Sequence, residues 1–247
     1  MSDRPGSRFR VLGLPVDHLD RAGLLARVVD YAAGHTKRTV AYLNVHVANQ
    51  AAQDPGLRDF LDRVDLCYCD GEGIRLGARV LGHSLPERMT GADWIWDLAA
   101  QAEGTLRLFW LGGEPGVTDR AAEVLRERHP DLAIASDHGF HDADQVPALL
   151  ARIHDFAPHI LLVGMGTPIQ ERWVSRWRAQ LDVPVVWCLG ATADFISGKT
   201  ARGPALLHDN FEWLARLITE PRRLWRRYLI GNGAFLLRVG LERLRGS

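Results

Sequence analysis

The sequence predicts an α/β layered sandwich with a mostly parallel sheet, followed by a helical appendage at the C-terminus. Short apolar runs alternate with stretches of helical periodicity as far as about Lys199. Two of the runs, Ile160–Gly164 and Pro184–Leu189, are apolar almost throughout, as expected for strands of a parallel sheet that helices cover on both faces. After Lys199 the alternation stops and a basic, tryptophan-rich segment begins, which indicates a separate element.

Each apolar run has the length and composition of a strand. The predicted strands are Phe9–Leu14, Val40–Val45, Leu66–Cys69, Leu106–Leu111, Ala133–Ser136, Ile160–Gly164 and Pro184–Leu189. The helices predicted between them are Ala22–Ala33, Leu57–Val64, Ala92–Glu103, Thr118–Arg128, Gln145–Phe156 and Gln170–Leu181. Thr90 and Pro168 stand at two helix starts as typical start signals. We place a boundary near Gly203, between a core of residues 1–203 and an appendage of residues 204–247.

Length, charge and composition exclude several classes of protein. A chain of 247 residues buries roughly 70–75% of its unfolded surface, so it needs no disulfide or metal ion to hold it together. Its formal charge of zero argues against a general nucleic-acid-binding protein. The three cysteines are interpreted as buried reduced thiols, and His138 and His141 as loop residues without metal-ligand spacing. Since neither a secretory signal nor a membrane-spanning window is present, we expect a cytoplasmic protein.

The C-terminal segment is strongly basic. Residues 211–247 hold eight arginines against three acidic residues, a net charge of +5. Because aromatic residues are interleaved with the arginines, this pattern favours an anionic partner over a merely solvated helix face. From Ala234 on, Leu237, Leu241 and Leu244 recur on one helical stripe. Such an amphipathic helix suits an anionic lipid surface, and it also suits packing on the protein's own core or on a second subunit.

Chemically useful side chains follow the predicted strands, where ligands bind in a parallel sheet. Asp70 ends a strand and could mark a simple turn, or supply a carboxylate that takes a proton from an attacking hydroxyl. Asn44 ends another strand and could bind substrate or orient that carboxylate. Arg88 precedes a predicted helix start, a position that suits phosphate binding and equally suits a plain surface arginine.

The loop after the sixth predicted strand has the composition of an anion site. Gly164, Gly166 and Pro168 precede a helix whose first amide groups could cradle a diphosphate. The loop is not a dinucleotide-binding fingerprint, because the third glycine would fall on Ile169. The sequence also contains no Walker A motif and no serine nucleophile elbow. A nucleotide-handling loop of another design is therefore the best interpretation.

An ordered series of motifs runs through nearly the whole chain. The motifs are Asn44, Asp70-Gly-x-Gly-Ile, Arg88-x-x-Gly91-x-Asp93, Gly164-x-Gly166-x-Pro168-x-Gln170-Glu171, Asp194-x-x-x-Gly198-x-x-x-Arg202-x-Pro204, Glu212-Trp213-x-x-Arg216-Leu217 and Glu220-Pro221-Arg222-Arg223-Leu224-x-Arg226-Arg227-Tyr228. Any one motif is weak, whereas the ordered series is highly specific. From about residue 9 to 245, the chain resembles the WecG/TagA/CpsF glycosyltransferases.

The resemblance implies a bacterial enzyme that moves a sugar from a UDP-sugar to a polyprenyl-diphosphate-linked saccharide in surface polysaccharide biosynthesis. The implied fold is a Rossmann-like catalytic core with a C-terminal appendage. The implied reaction is inverting and needs neither a metal ion nor another cofactor. The implied location is the cytoplasm, peripherally on the inner face of the plasma membrane. We expect no nucleic-acid partner, and the sequence leaves open whether the protein forms a homo-oligomer.

The resemblance also assigns roles to individual positions. Asp70 stands at the position of the candidate general base. The positions implied to bind substrate are Asn44, Arg88, Gly164, Gly166, Gln170 and Asp194, and those implied to grip a diphosphate are Arg216, Arg223 and Arg226. The chain departs from the family pattern at two positions that bear on the identity of the donor sugar. Tyr42 stands where some members have threonine, and Ala193 replaces an aromatic residue that is common in the family.

Two other function classes stay open on the sequence alone. A non-catalytic, membrane-surface protein with a sugar-nucleotide pocket would use the same basic tail, and the departure at Tyr42 is its best support. A nicotinamide-dependent oxidoreductase would use the same α/β scaffold, but the incomplete glycine fingerprint disfavours it.

Overall fold

A six-stranded parallel sheet forms the centre of the protein in a computed structural model that describes residues 6–87, 89–200 and 230–245. The strands in chain order are β1 (Arg8–Val11), β2 (Leu14–Asp17), β3 (Arg38–Leu43), β4 (Leu66–Cys69), β5 (Arg107–Gly112), β6 (Ala133–Asp137), β7 (Ile160–Gly164) and β8 (Val185–Cys188). β1 pairs with β2, and the large sheet has the order β4-β3-β8-β7-β5-β6. Every pairing in the large sheet is parallel, which confirms the predicted fold class.

Helices connect the strands and flank the sheet. They are α1 (Arg21–Ala33), α2 (Val45–Ala51), α3 (Pro55–Arg63), α4 (Glu72–Val80), α5 (Gly91–Ala102), α6 (Val117–Arg128), α7 (Val146–Phe156), α8 (Ile169–Trp177), α9 (Thr192–Ile196) and α10 (Gly231–Arg245). The helices predicted in the core correspond to α1, α3, α5, α6, α7 and α8, with small shifts at their ends. The amphipathic helix predicted in the tail corresponds to α10.

Three short helices, α2, α4 and α9, are not predicted by the sequence patterns. α2 and α9 have seven and five residues, too few to show a helical period, and α4 contains two glycines. α2 and α4 begin almost directly after strands β3 and β4. The polar residues at these two strand ends therefore lie at helix N-termini rather than in open loops.

The predicted single strand Phe9–Leu14 is wrong, because this segment turns back on itself. β1 and β2 form an antiparallel hairpin in which Val11 pairs with Leu14. Leu12 and Gly13 make the two-residue turn with φ angles of 54° and 73°. Two positive φ angles give the twist that a tight hairpin needs, but leucine is an unusual residue there, so the sequence carried only half of the turn signal.

Aromatic packing under the sheet fills much of the core. Trp94 and Trp187 stack with ring centroids 4.0 Å apart, and Tyr68 meets both rings edge-on at 6.1 Å. All three rings are fully buried. The cysteines Cys67, Cys69 and Cys188 are buried and unpaired, as predicted, and burial raises the pKa of each thiol well above its usual value. The thiols are therefore protonated packing groups rather than nucleophiles.

Helix α10 packs across α2 and α4, which begin at the carboxyl ends of β3 and β4. Phe235 and Val239 are buried against Gly77 of α4, where an added Cβ would lie 2.7 Å from the Phe235 ring. Asn49 of α2 donates a hydrogen bond to the Gly231 carbonyl at 2.9 Å. The described end of the appendage therefore packs on the two helices that directly follow Asn44 and Asp70.

Removing the Phe235 ring should release this helix. Phe235 is 1% exposed, and truncating a buried phenylalanine costs about 3–5 kcal/mol. We expect Phe235→Ala to lower the free energy of local opening of α10 by about 3 kcal/mol, measured by hydrogen exchange of its amides. Leu237→Ala, on the same helix but 66% exposed, is the matched control and should change little. Equal protection in the two variants would contradict the packing.

The predicted boundary near Gly203 falls outside the described residues and stays a prediction. None of the helices within the described ranges has the length and apolar character to cross a membrane.

Candidate active site

Strand register places two of the predicted site residues side by side. Leu43 of β3 pairs with Cys69 of β4, so the next residues, Asn44 and Asp70, emerge together at the carboxyl edge of the sheet. Nδ2 of Asn44 donates a hydrogen bond to Oδ2 of Asp70 at 2.9 Å. Both residues are half-buried. The pair therefore offers a partly accessible carboxylate whose orientation an amide fixes.

Two helix N-termini support this pair. Asn44 is the N-cap of α2, because its Oδ1 accepts a hydrogen bond from the backbone N–H of Val47 at 2.9 Å. That bond decides which end of the amide faces Asp70. Helix α4 begins at Glu72, so Asp70 directly precedes its N-cap residue, Gly71. The partial positive charge of a helix N-terminus stabilises an ionised carboxylate.

Gly112, Gly164 and Gly190 lie at the middle of the carboxyl edge, and we call these three residues the glycine floor. Gly112 of β5 pairs with Gly164 of β7, and a Cβ on Gly112 would lie 2.2 Å from the Gly164 carbonyl oxygen. The N–H of Gly113 donates to that same oxygen at 3.0 Å. A Cβ on Gly164 would in turn lie 2.7 Å from the carbonyl oxygen of Gly190, which follows β8. The main chains approach so closely at these strand ends that neither Gly112 nor Gly164 has room for a side chain.

The loop predicted to bind an anion leads from this floor into α8. Gly166 has a φ of 77°, and Pro168 is the N-cap of the helix. The backbone N–H of Gln170 already donates to the Gly166 carbonyl at 3.0 Å. One of the amides expected to cradle a diphosphate is therefore used within the loop. The diphosphate cradle at this helix N-terminus stays a prediction.

The Gln170 side chain is buried and bonded to the protein. It is 0% exposed; its Nε2 donates to Oε1 of Glu171 at 2.8 Å, and its Oε1 accepts from the N–H of Gly190 at 3.0 Å. These bonds join the loop after β7 to the loop after β8. The predicted contact between Gln170 and substrate stays a prediction, and the observed geometry favours a positioning role.

Tyr42, the first departure from the family pattern, points into the same region. Its hydroxyl lies 3.4 Å from Oγ1 of Thr167 and 3.5 Å from Nε2 of Gln170. A Cβ on Gly190 would lie 2.7 Å from the Tyr42 hydroxyl. The tyrosine thus brings a hydroxyl group from β3 to the loops after β7 and β8.

Glu171 is a buried carboxyl group beneath this loop. It is 3% exposed, Oε1 accepts from Thr167 Oγ1 at 2.8 Å, and Oε2 has no hydrogen-bond partner among the described residues. Burial raises the pKa of the Glu171 carboxyl, and the hydrogen bonds from Gln170 and Thr167 lower it by less. The protein therefore holds a proton on Glu171 more tightly when folded than when unfolded.

This shift makes stability depend on pH in a definite direction. Where the folded protein binds more protons, stability falls as the pH rises from the unfolded pKa, about 4.3, through the higher folded pKa. We expect the free energy of unfolding of Glu171→Gln to rise relative to that of the wild type as the pH increases across that interval, because the amide carries no charge. Urea unfolding at stepped pH values measures the difference.

Glu123→Gln, which removes an exposed carboxyl, controls for the loss of one negative charge. A difference between wild type and Glu171→Gln that stays constant with pH would contradict the buried-carboxyl interpretation.

Asp194 and a lysine lie near the centre of the carboxyl edge. Asp194 is in α9, after β8, and its Oδ1 is 3.9 Å from Nζ of Lys199. Lys199 also forms a 2.9 Å ion pair with Glu114, from the loop after β5. Lys199 is not among the residues predicted from the sequence, although its position directly after Gly198 in the Asp194 motif was a usable signal.

Several predicted site residues lie outside the described part of the chain. They are Arg88, Arg216, Arg223 and Arg226. Their roles stay predictions. Met89, directly after Arg88, pairs with Asp70 in an isolated parallel bridge.

A carboxylate oriented by an amide and a row of glycines lie along the carboxyl edge of a parallel sheet, the place at which α/β enzymes bind their ligands. The sequence model of the glycosyl transferase WecG/TagA/CpsF family matches residues 9–247. The chain belongs to this family, and the protein is a glycosyltransferase of cell-envelope polysaccharide biosynthesis.

Relatives from Staphylococcus aureus match over most of their length. The chain is 23% identical over 224 residues to the N-acetylglucosaminyldiphosphoundecaprenol N-acetyl-beta-D-mannosaminyltransferase of strain NCTC 8325 / PS 47. That match covers 89% of this chain and 88% of the relative. The enzymes of the same name from strains COL and MRSA252 match with the same identity and coverage.

Proposed function

We propose that this glycosyltransferase moves an N-acetylhexosamine from a UDP-sugar to a polyprenyl-diphosphate-linked saccharide, with inversion at the anomeric carbon. The observation that carries the proposal is the Asn44–Asp70 pair, a carboxylate held in one orientation where an acceptor hydroxyl can approach. The staphylococcal relatives, whose name specifies an N-acetylmannosaminyl group and a diphosphoundecaprenol-linked acceptor, support this choice of donor and acceptor class.

The donor fits along the carboxyl edge of the sheet. β4, which Asp70 directly follows, and β7, which ends at Gly164, are three strand spacings apart, or roughly 14 Å. A sugar near Asp70 would place its diphosphate over β8 and β7 and the nucleoside toward β5. Lys199, whose Nζ lies between Asp194 after β8 and Glu114 after β5, would supply a positive charge to the diphosphate. Arg88 and the arginines of the C-terminal segment are proposed to neutralise the remaining negative charge of the diphosphate.

The proposed reaction is a single displacement. The acceptor hydroxyl oxygen attacks the anomeric carbon as the bond from that carbon to the UDP oxygen breaks. Asp70 takes the proton of the hydroxyl, and UDP leaves with the electron pair of the broken bond. The amide of Asn44 keeps the carboxylate in position for the proton. Positive groups placed at the diphosphate stabilise the charge that develops on the leaving group.

The direct test is a transfer assay with the full chain, UDP-N-acetylmannosamine and a lipid diphosphate carrying N-acetylglucosamine. We expect UDP release and a new lipid-linked disaccharide of inverted configuration. A thermal shift with UDP but no transfer to any lipid-linked saccharide would favour the non-catalytic sugar-nucleotide-binding protein. A shift with NADH and none with UDP would favour the oxidoreductase and overturn the proposal.

We further propose that α10 rests on the inner face of the plasma membrane. Its outer side exposes Leu236, Leu237, Leu241 and Leu244, and its last turn carries Arg243 and Arg245. Apolar and cationic side chains on one exposed helix suit the boundary of an anionic bilayer. A lipid-linked acceptor would then reach the site from the membrane on which the helix lies.

Vesicle flotation tests this proposal. We expect replacement of Leu237, Leu241 and Leu244 by serine to abolish binding to phosphatidylglycerol vesicles, because the buried apolar area is lost. Replacement of the same leucines by methionine keeps the face apolar and should preserve binding. Equal flotation of the serine variant and the wild type would contradict it, as would a leucine face covered by a second subunit, seen as a change of mass in analytical ultracentrifugation.

A further inference from the structure

Three side chains of types that can bind metal ions lie close together after β6, the strand at the far side of the sheet from β4. Asp137 ends β6, the far strand in the sheet order, and His138 and His141 follow in the next loop. One ligand atom from each residue lies within 4.8 Å of the other two. β6 is five strand spacings, or roughly 24 Å, from the strand that ends at Asp70. The cluster is therefore separate from the Asn44–Asp70 pair.

One ligand atom of this cluster makes no hydrogen bond within the described ranges. Nε2 of His141 is buried and makes no hydrogen bond within the described ranges, although it lies 3.3 Å from Oδ1 of Asp137. Buried polar atoms in folded proteins are nearly always hydrogen-bonded, so an orphaned ring nitrogen needs an explanation. The His138 and His141 rings stack 4.1 Å apart, which brings their edges to the same side of the loop.

The neighbouring contacts decide which atoms can bind an ion. Oδ2 of Asp137 is held by the Arg152 guanidinium at 2.5 Å. Oδ1, on the His141 side, accepts a hydrogen bond from the backbone N–H of His138 at 2.8 Å and keeps a second lone pair for an ion. Nδ1 of His138 accepts a 3.2 Å hydrogen bond from the N–H of Phe140, so Nε2 is its available nitrogen. Binding through Nε2 moves the ring proton of His138 to Nδ1 and gives up that long bond.

We propose that Asp137, His138 and His141 bind one zinc-type divalent transition-metal ion. Two imidazoles and a carboxylate form a ligand set that such ions prefer, and three protein ligands leave one position for water. The open position has space, because a cavity of about 450 Å³ borders the three residues. Tetrahedral ligands lie about 3.4 Å apart, so the side chains close by about 1 Å on binding.

The ion would stabilise the loop after β6, which contacts the residues next to Gly112 and Gly164. The N–H of Gly139 donates to the carbonyl of Gly113 at 2.9 Å, and a Cβ on Gly139 would lie 2.8 Å from the Met165 side chain. The Asp137 carbonyl accepts from Thr118 Oγ1 at 3.0 Å, which ties the other end of the loop to α6. Metal binding thus stabilises the far side of the donor path without entering the reaction.

Calorimetric titration of the chelator-treated full chain with Zn²⁺ tests the site. We expect one ion per chain, a rise in melting temperature on binding, and a Co²⁺ form whose visible absorption reports nitrogen and oxygen ligands. His141→Gln and His138→Gln should each weaken Zn²⁺ binding by about 100-fold or more, since even outer partners of metal ligands contribute 10–100-fold. His35→Gln, an exposed histidine elsewhere, is the matched control and should bind normally.

Arg152 provides a test in the opposite direction. Its positive charge on Asp137 opposes a cation, so Arg152→Met should tighten Zn²⁺ binding by about tenfold. The proposal is overturned if the folded His141→Gln and His138→Gln variants, checked by circular dichroism, keep wild-type stoichiometry and affinity. Weaker binding by Arg152→Met would also overturn it, because the carboxylate could not then be a ligand.

Discussion

Replacing Asp70 by asparagine should lower kcat by about 10²–10⁴-fold, the usual contribution of a general base. Asparagine has nearly the same shape, and its amide oxygen can still accept the hydrogen bond that Asn44 donates, so the fold at the strand end should survive. UDP affinity, measured by calorimetry, should stay at the wild-type value because the base does not hold the nucleotide. The transfer assay under saturating donor and acceptor measures kcat.

Asp182→Asn is the matched control for this experiment. Asp182 is exposed and precedes β8, at the edge of the sheet opposite the carboxyl edge, so its variant should transfer sugar at the wild-type rate. Near-wild-type turnover by Asp70→Asn, together with normal UDP binding, would remove Asp70 as the base. Loss of UDP binding and turnover together would instead make Asp70 a donor-binding group.

Replacing Gly112 by alanine should destabilise the protein by about 3 kcal/mol or more. The new Cβ would lie 2.2 Å from the backbone oxygen of Gly164, and that backbone is held in the paired strands β5 and β7. A φ of 152° adds strain for any residue with a side chain. Overpacking against main chain cannot be relieved by a rotamer change, so the strand ends must move. Urea unfolding measures the loss.

Gly104→Ala separates strain from the clash. Gly104 also has a positive φ, 69°, but no atom lies within 4 Å of the place of an added Cβ. The control should therefore lose only about 1–2 kcal/mol, the cost of a left-handed backbone for alanine. If the two variants lost the same amount, the close approach of the strand ends would not be the cause.

Much of the site could be predicted because the carboxyl ends of parallel strands share one edge. That rule groups Asn44, Asp70 and Gly164 from apolar runs alone. The hydrogen bond between Asn44 and Asp70 could not be predicted, because it depends on the exact register of β3 against β4. A shift of one residue would have separated the two side chains.

Burial changed the interpretation of other motif residues. Gln170 and Glu171 belong to a motif that the sequence singles out, yet both are buried and bind each other and the neighbouring loops. Sequence periodicity reports which residues are apolar, and so it could not show that these polar side chains point inward. His138 and His141 are a similar case, because their closeness to Asp137 depends on how the loop folds after β6.

The α/β class, the family and the strand ends proposed as the active site could all be predicted from the sequence, since alternating apolar runs and ordered motifs are properties of the chain. Only the tertiary structure decided the hairpin at Leu12 and Gly13, the partner of Asp70, and the packing of α10 on α2 and α4. The partner of Asp70 and the packing of α10 depend on contacts between segments distant in sequence, whose free energies no local pattern records. The hairpin is local, but it places a leucine at a positive φ, which local preferences disfavour.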